Sequence, residues 1–295
     1  MTDAGAFATF RPLLFTIAYE ILGCAADAED VLQDSYLRWR EATEVTHPRA
    51  YLVQIVTRQA INHLRTVRRR REDYVGTWLP EPIRTAPGAE HDVVLAESVS
   101  MAVLLVLETL GPTERAVFVL SEVFGHSHAE IADMVDKSET AVRQIAHRAR
   151  THVAARRRRF QPDSDTSRAV IARFLLAADT GELGALMEVL APDVVQISDG
   201  GGRVTAARRP IIGAEPVARF LIKLAQNSMA GATVEFGSFN ALPAVVVRSS
   251  TGDLDTVLVV EMTENLVTGL YAVRNPDKLR SIDVLHILDI AADLP

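Results

Sequence analysis

Apolar residues recur at intervals of three and four over most of residues 1–160, which is the spacing of helices with one buried face. The pattern predicts a first helix at Phe7 to Leu22, which Gly23 ends, and a second helix that begins near Ala26. Pro48, a residue suited to a first turn, opens a third long helix. After an interruption the spacing resumes at Val99. The amino-terminal half is therefore predicted to be all-α.

The second predicted helix carries a leucine on its polar face. The buried stripe runs from Val31 to Trp39 and leaves Leu37 pointing outward. Its neighbours on that face are Gln33, Asp34 and Arg38. A leucine exposed among charges predicts a protein-docking surface, and a lone surface leucine without a partner is the alternative.

The third predicted helix turns a polar face outward and ends in a run of arginines. The outward residues are Gln54, Arg58, Asn62 and Arg65, and Arg68 to Arg71 follow. A second basic cluster lies between Arg143 and Arg159. The net charge of −7 belongs mostly to the second half, because residues 1–160 hold 20 basic and 21 acidic side chains. Two separate basic clusters predict two contacts with DNA.

Residues 127–153 have the pattern of two helices joined by a short turn. Ser127 and Glu130 form a capping box at the start of the first of these helices. Asp136 occupies the turn position that needs a left-handed backbone, which Asp tolerates better than most residues. Ser138 is the predicted cap of the second helix. The segment is therefore predicted to be a helix-turn-helix.

The second helix of this motif has one apolar stripe and one polar face. The stripe consists of Val142, Ile145, Ala146, Ala149 and Val153. The candidate DNA contacts are Ser138, Thr140, Arg143, Gln144, His147, Arg148 and Thr151. Arg grips guanine edges or phosphates, Gln reads adenine, and hydroxyls near a helix start hold phosphate. Such a face suits the major groove of DNA, and an ordinary solvated helix is the alternative.

The second half of the chain has a different hydrophobic pattern, in which strands are predicted as well as helices. Residues 72–97 have linker composition with embedded aromatics, which we expect to dock on another surface. After a polar break at 161–166, helices are predicted near 167–179, 181–190 and 215–226. Strands are predicted at 194–198, 204–208, 233–239, 244–248, 256–262 and 270–274. This order predicts an α+β domain in which an antiparallel sheet curves around helices and leaves a pocket.

Composition excludes several classes of protein. The 295 residues, of which 48% are apolar, suffice for two or three domains. No apolar run approaches the roughly 18 residues of a membrane span, and the start lacks a signal-peptide pattern. We therefore expect a cytoplasmic protein without a membrane partner. Cys24 is the single cysteine, which excludes an internal disulfide and a multi-cysteine zinc site.

Catalysis is not indicated. Asp199, Glu215 and Asp255 are candidate general bases, but no acid or base partner stands at a diagnostic spacing. Asp199 before three glycines predicts a tight hairpin turn. His126 and His128 flank a capping serine without further metal ligands. We expect no catalytic residues, no cofactor and no metal.

With these elements placed, residues 1–155 resemble a bacterial sigma factor of the extracytoplasmic-function group. Residues 28–39 resemble the region 2 helix that binds the clamp of RNA polymerase, which implies that Gln33, Asp34, Leu37 and Arg38 contact core polymerase. Residues from Pro48 to Arg65 resemble the part of region 2 that opens and reads the minus-10 element. The resemblance assigns that role to Arg49, Tyr51, Gln54, Arg58, Asn62 and Arg65. Residues 110–150 resemble region 4, which reads the minus-35 element.

Three short motifs narrow the resemblance to one subgroup, in which a SnoaL-like domain of the NTF2-like fold follows region 4. They are Trp78-Leu79-Pro80-Glu81-Pro82, Asp199-Gly200-Gly201-Gly202-Arg203 and Asn275-Pro276-Asp277-Lys278. The resemblance implies regulation by the fused domain in place of a separate anti-sigma protein, with these motifs as the interdomain contacts. The resemblance identifies no motif in the tail, Ser281 to Pro295, whose apolar residues we expect to pack on one of the two domains.

The resulting organisation is region 2 at 1–71, a linker at 72–97, region 4 at 98–160, a SnoaL-like domain at 166–280 and a tail at 281–295. The predicted partners are core RNA polymerase and promoter DNA, and the C-terminal pocket could take a small-molecule ligand. Two other hypotheses stand beside the sigma factor. One is a ligand-sensing repressor or activator, and the other is an NTF2-like cyclase or isomerase fused to a DNA-binding module.

Overall fold

The computed structural model describes residues 4–86, 89, 92–154, 164–228 and 231–290. Their contacts divide into two compact units. Residues 4–73, 102–154 and 286–290 form the first, and residues 74–101 and 164–285 form the second. Most of the segment predicted as a linker thus belongs to the second unit. Arg156 to Arg159 of the second basic cluster and part of the polar break lie outside the described residues.

Three long helices begin the first unit. They are α1 (Ala4–Leu22), α2 (Ala25–Glu41) and α3 (Pro48–Glu72), and they pack on one another. Gly23 ends α1 with a φ of 69°, a conformation that suits glycine. Cys24 caps α2, since its Sγ accepts the Asp27 N–H at 3.5 Å. The predicted three-helix arrangement is confirmed.

The remaining helices of this unit include the predicted helix-turn-helix. They are α5 (Met101–Leu107), α6 (Pro112–Phe118) with a π-helical turn (Val119–Val123), α7 (His128–Val135) and α8 (Glu139–Ala154). Ser127 and Glu130 form the predicted capping box of α7. Asp136 has the left-handed backbone expected of the turn, with φ 54° and ψ 57°. Both local predictions are confirmed.

The tail of the chain returns to α1. The His286 ring stacks on Phe15 with centroids 4.4 Å apart, and the Asp289 N–H donates to Thr16 Oγ1 at 3.0 Å. His286 is buried in this position. Burial lowers the pKa of His286, Glu29 raises it and Arg11 lowers it. The described part of the tail is thereby held on the first helix of the first unit.

The second unit is built on a mixed sheet. Its helices are α4 (Val93–Ser98), α9 (Ser164–Thr180), α10 (Leu183–Val189) and α11 (Ala214–Ser228). Its strands are β1 (Arg84–Thr85), β2 (Leu190–Asp199), β3 (Ile211–Ile212), β4 (Thr233–Phe239), β5 (Leu242–Arg248), β6 (Leu254–Thr263) and β7 (Leu266–Val273). At β8 (Leu285–His286) the chain passes from the second unit to the first. The strand order is β3-β2-β7-β6-β5-β4-β1-β8.

The prediction of an antiparallel sheet is wrong for the pair of β2 and β7. Strands β2 and β7 run parallel, with Gln196 opposite Leu270, whereas β4, β5, β6 and β7 pair antiparallel in succession. Helices α9, α10 and α11 contribute to a common apolar core with the sheet, in which Ile171, Val217 and Val260 are buried. A mixed sheet with helices on one face agrees with the predicted α+β architecture.

The predicted strand at 204–208 is also wrong. After Asp199 the chain makes a turn in which the Arg203 and Val204 N–H groups donate to Gly200 O. The edge of β2 is then occupied by Ile211–Ile212, which leaves residues 204–208 no strand to pair with. The turn after Asp199 is present, but it does not close the tight hairpin that was expected.

Candidate nucleic-acid interface

The polar face of α8 is fully presented to solvent. All five residues of the predicted apolar stripe are buried, which fixes the rotation of the helix. The predicted DNA contacts are exposed: Ser138, Thr140, Arg143, Gln144, His147, Arg148 and Thr151. Arg143 pairs with Glu139 at 2.7 Å, but both side chains are more than half exposed, and such a pair is weak in water. This face can therefore exchange its contacts for phosphates and base edges.

The start of α8 is formed by a serine cap. Ser138 Oγ accepts the Ala141 N–H at 3.2 Å, so the predicted cap is confirmed. Capping orders the first turn of the helix and with it the position of Thr140. In helix-turn-helix proteins the residues near this end of the second helix approach the base edges.

The predicted minus-10 face of α3 is engaged by the end of α7. Arg58 donates from Nε to Met134 O at 2.9 Å and from Nη2 to Asp133 O at 2.7 Å. Gln54 Nε2 donates to the same Asp133 carbonyl at 3.1 Å. These carbonyls lie at the C-terminal end of α7, where the helix dipole is negative and attracts cations. The last turn of α7 thus occupies donors that were predicted to face DNA.

The other predicted minus-10 residues have different surroundings. Arg65 donates to Asn62 Oδ1 at 3.0 Å, and both line an open groove of about 450 Å³ with Arg58 and the α7 end. Tyr51 lies against Trp39, with ring centroids 6.0 Å apart. Arg49 lies near enough to His126 to lower the pKa of that ring, although burial lowers it more. The structure therefore gathers four of the six residues beside α7 and places Tyr51 against α2.

The predicted docking face of α2 is open. Leu37 is 52% exposed, and Gln33, Asp34 and Arg38 around it are also exposed. Neighbouring Ser35 and Trp39 are buried, so the helix is anchored on its other side. The outward direction of Leu37 is as predicted.

In the second unit the three predicted motifs meet around one carboxylate. Asp199 has a fully buried side chain that accepts four hydrogen bonds. The donors are Tyr74 Oη at 2.6 Å, the Leu79 N–H at 2.9 Å, the Gly201 N–H at 2.9 Å and Lys278 Nζ at 2.6 Å. A buried carboxylate needs this number of partners to offset the loss of water. Asp199 thereby ties the Trp78–Pro82 segment to the end of β2.

Lys278 and Tyr74 complete this cluster. Lys278 Nζ also donates to Leu79 O and lies 4.1 Å from the Trp78 ring centroid, which is cation–π geometry. Asn275 Nδ2 donates to Tyr74 Oη at 2.7 Å. Burial and the Asp199 carboxylate raise the pKa of Tyr74, so its hydroxyl stays protonated as a donor. The sequence indicates Tyr74 only as one of the aromatics embedded in residues 72–97, because no local signal ties it to a carboxylate 125 positions away.

The glycines of the Asp199–Arg203 motif are required because neighbouring segments of the chain approach its backbone closely. Gly201 and Gly202 have φ values of 61° and 69°. A Cβ at Gly201 would collide with the Asn275 amide, and one at Gly202 would lie 2.9 Å from Val75 Cβ. Any side chain there would push the neighbouring segments away. We name the set Tyr74, Trp78, Leu79, Asp199, Asn275 and Lys278 the Asp199 cluster.

Comparison with known proteins decides the family. Residues 6–70 match the family described as Sigma-70 region 2, and residues 100–153 match Sigma-70, region 4. The chain is 35% identical to the ECF RNA polymerase sigma factor SigJ of Mycobacterium tuberculosis (strain ATCC 25618 / H37Rv), over 94% of this chain and 93% of SigJ. The crystal structure of SigJ has a TM-score of 0.77 to this chain, with 30% identity, and the match covers 95% and 99% of the two chains.

The chain belongs to the extracytoplasmic-function group of RNA polymerase sigma factors. The probable sigma factor SigI of Mycobacterium tuberculosis (strain CDC 1551 / Oshkosh) is a further relative, 29% identical over 75% of this chain and 76% of SigI. Relatives of this kind favour neither the repressor nor the enzyme hypothesis. Among the described residues, no helix has both the length and the apolar character of a membrane span.

The carboxylates considered for catalysis have structural partners in this sigma factor. The Asp199 carboxylate is occupied by its hydrogen bonds within the Asp199 cluster. Asp255 pairs with Arg274 at 2.7 Å, and Arg274 and Thr256 lower its pKa against the opposing effect of burial. Glu215 pairs with Arg219 at the surface. Within the described part of the chain, no three potential ligands among His, Cys, Asp and Glu side chains are grouped to hold a metal ion.

Proposed function

We propose that α8 reads the minus-35 element and α3 the minus-10 element when this sigma factor directs core polymerase to a promoter. The single observation that carries the proposal is the exposed face of α8, which carries Arg143 and Arg148 among polar side chains. Arg143 and Gln144 supply the donors that read guanine and adenine edges. The basic and amide side chains of α3 suit phosphates and unstacked bases of an opened strand.

The exposed leucine of α2 is the proposed anchor for core polymerase. Leu37 is half exposed on a helix whose opposite side is buried, and polar residues surround it. An apolar side chain inside a polar rim is typical of protein interfaces.

We further propose that this conformation precedes promoter engagement. The donors that Arg58 and Gln54 direct at the carbonyls of Asp133 and Met134 are not available to DNA in this conformation. Region 2 would therefore present its full set of minus-10 donors only after α7 has left α3. Because both sets of residues lie in the first unit, the transition is a rearrangement within that unit.

The second unit is proposed to modulate this activity. The Asp199 cluster fixes the segment that connects the two matched regions, residues 74–101, onto the C-terminal domain. A ligand of this domain is proposed as the signal. Gln196 is buried on the helix-covered side of the sheet, its Nε2 donates to Ser198, and its Oε1 has no hydrogen-bond partner among the described residues. A small molecule with a hydrogen-bond donor would suit this position.

The decisive experiment adds the purified chain to sigma-free core polymerase and maps transcript starts. Starts at defined promoters are expected. Arg143→Ala should weaken upstream recognition by about 1 to 3 kcal/mol through lost base contacts. Leu37→Ala should weaken polymerase binding without changing the start sites. Leu176→Ala, which removes a leucine that is even more exposed from α9, should leave polymerase binding unchanged. Failure of the chain to bind core polymerase would contradict the proposal.

A further inference from the structure

A partly buried ionic network joins α1, α3, the turn after α5 and α6 in the first unit. The Glu108 carboxylate accepts from Arg71 Nη1 at 2.6 Å and from Arg115 Nη1. Arg115 is 1% exposed and also donates from Nε to Glu20 O at 2.8 Å. Arg71 Nη2 donates to Leu22 O at 2.8 Å. The paired arginines lower the pKa of Glu108 even though burial opposes this, so the carboxylate is ionised.

A small cavity opens beside this network. It has a volume of about 170 Å³ and is lined by Leu64, Arg68, Arg71, Glu108, Leu110 and Arg115. Arg68 reaches it from α3 and donates from Nη1 to Leu110 O at 2.9 Å. Nη2 of the buried Arg115 has no hydrogen-bond partner among the described residues. A buried guanidinium nitrogen without an acceptor is costly, and it indicates that an acceptor belongs there.

We propose that this cavity binds a small oxyanion of the phosphate class. Three arginines and one carboxylate line it, so the lining carries an excess of positive charge. Burial lowers the pKa of Arg115, whereas Glu108 and Glu20 favour its charged form, and Glu20 reduces the excess of positive charge without cancelling it. The planar guanidinium group matches the oxygens of phosphate, and the volume suits a single phosphate group.

The anion would join the two matched sigma regions. Arg68 and Arg71 lie on α3 in region 2 or directly after its match, whereas Glu108 and Arg115 lie in region 4. A bound phosphate that accepts from Arg68 and from Arg115 would add a bridge between them. Because it binds the folded unit, the anion should raise the thermal stability of the chain.

The site is tested by calorimetric titration of the full chain with inorganic phosphate, at an ionic strength held constant with chloride. One saturable site is expected. Arg68→Gln should weaken it about tenfold, which corresponds to about 1.4 kcal/mol. Arg65→Gln removes the same charge from the same helix but does not line the cavity, and it should leave the affinity unchanged. A second titration with adenosine diphosphate distinguishes free phosphate from a nucleotide-borne group, and saturable binding of either with this variant pattern supports the site.

A wild-type measurement keeps the test independent of the folding of variants. In ¹⁵N-arginine-labelled protein, the Nε–H resonance of Arg115 should shift saturably with phosphate and not with chloride. Absence of saturable binding would overturn the proposal. An equal loss of affinity in Arg68→Gln and Arg65→Gln, or an Arg115 resonance that does not respond, would overturn it as well.

Discussion

At the scale of single residues, the structural role of Asp199 in its short motif depends on partners that are distant along the chain. Its carboxylate has no exposed surface and depends on Lys278 for charge and on Tyr74 and Leu79 for hydrogen bonds. Removal of one partner from such a pair leaves an ion buried without compensation. The Trp78–Pro82 segment therefore depends on an ion pair in the other half of the chain.

Substitution of Lys278 tests this dependence. Lys278→Met retains most of the side-chain volume but leaves the Asp199 carboxylate without a cation. We expect the free energy of unfolding of the second unit to fall by about 3 to 5 kcal/mol. Chemical denaturation followed by Trp78 fluorescence, in a Trp39→Phe background that removes the other tryptophan, measures the change. Lys223→Met on the exposed side of α11 is the matched control, and an equal effect of both variants would argue against the role of the ion pair.

At the scale of elements, local signals and distant contacts contribute differently. The capping box of α7, the left-handed Asp136 and the stripe of α8 were predictable because each depends on residues within one or two turns. The parallel pairing of β2 with β7 and the unpaired residues 204–208 were not predictable. They depend on which strand occupies an edge, and alternation of side chains does not encode that choice.

The tail supplies a prediction about pH at this scale. Burial lowers the pKa of His286 below its ordinary value of 6.5, so the docked tail favours the neutral ring. The contribution of His286 to the docking of the tail is complete above pH 6.5. It is lost as the pH falls below that value towards the lowered pKa, because the ring of a released tail binds a proton more readily than the ring of a docked tail. Glu29 opposes and Arg11 reinforces this shift.

Hydrogen exchange of the Asp289 amide, which donates to Thr16, measures tail release. Its protection factor should decline as the pH is lowered from about 7.5 to about 5.5. His286→Phe preserves ring stacking on Phe15 without a titratable group, and its tail should remain protected over the same range. A protection factor independent of pH in the wild-type chain would refute the prediction.

At the scale of the whole molecule, two matched sigma regions share one compact unit, while the segment between them belongs to the other. Composition identified residues 72–97 as a connection but could not show that Leu79 and Ile83 are buried. The Glu108–Arg115 network could not be predicted from the sequence either, since a single arginine among apolar residues does not indicate which residue it pairs with.

A cross-link between α3 and α7 tests whether the first unit must rearrange before promoter reading. In a Cys24→Ser background, Gln54→Cys and Asp133→Cys would be joined by a short bismaleimide. We expect the cross-linked chain to retain binding to core polymerase through α2 and to lose promoter opening. Each single-cysteine chain treated with the same reagent is the control for the loss of Gln54 or Asp133. Undiminished transcription by the cross-linked chain would show that α7 need not leave α3.

Both units are assembled from segments that the ribosome makes far apart in time. Residues 74–101 leave the exit tunnel long before Asp199, Asn275 and Lys278 are synthesised, and the α1 surface waits for His286 near the chain terminus. A nascent chain therefore holds complete region 2 and region 4 sequences before the Asp199 cluster and the tail contacts exist. Chaperones or polymerase itself would meet that intermediate first, so the speed of translation sets how long region 2 and region 4 exist without the completed second unit.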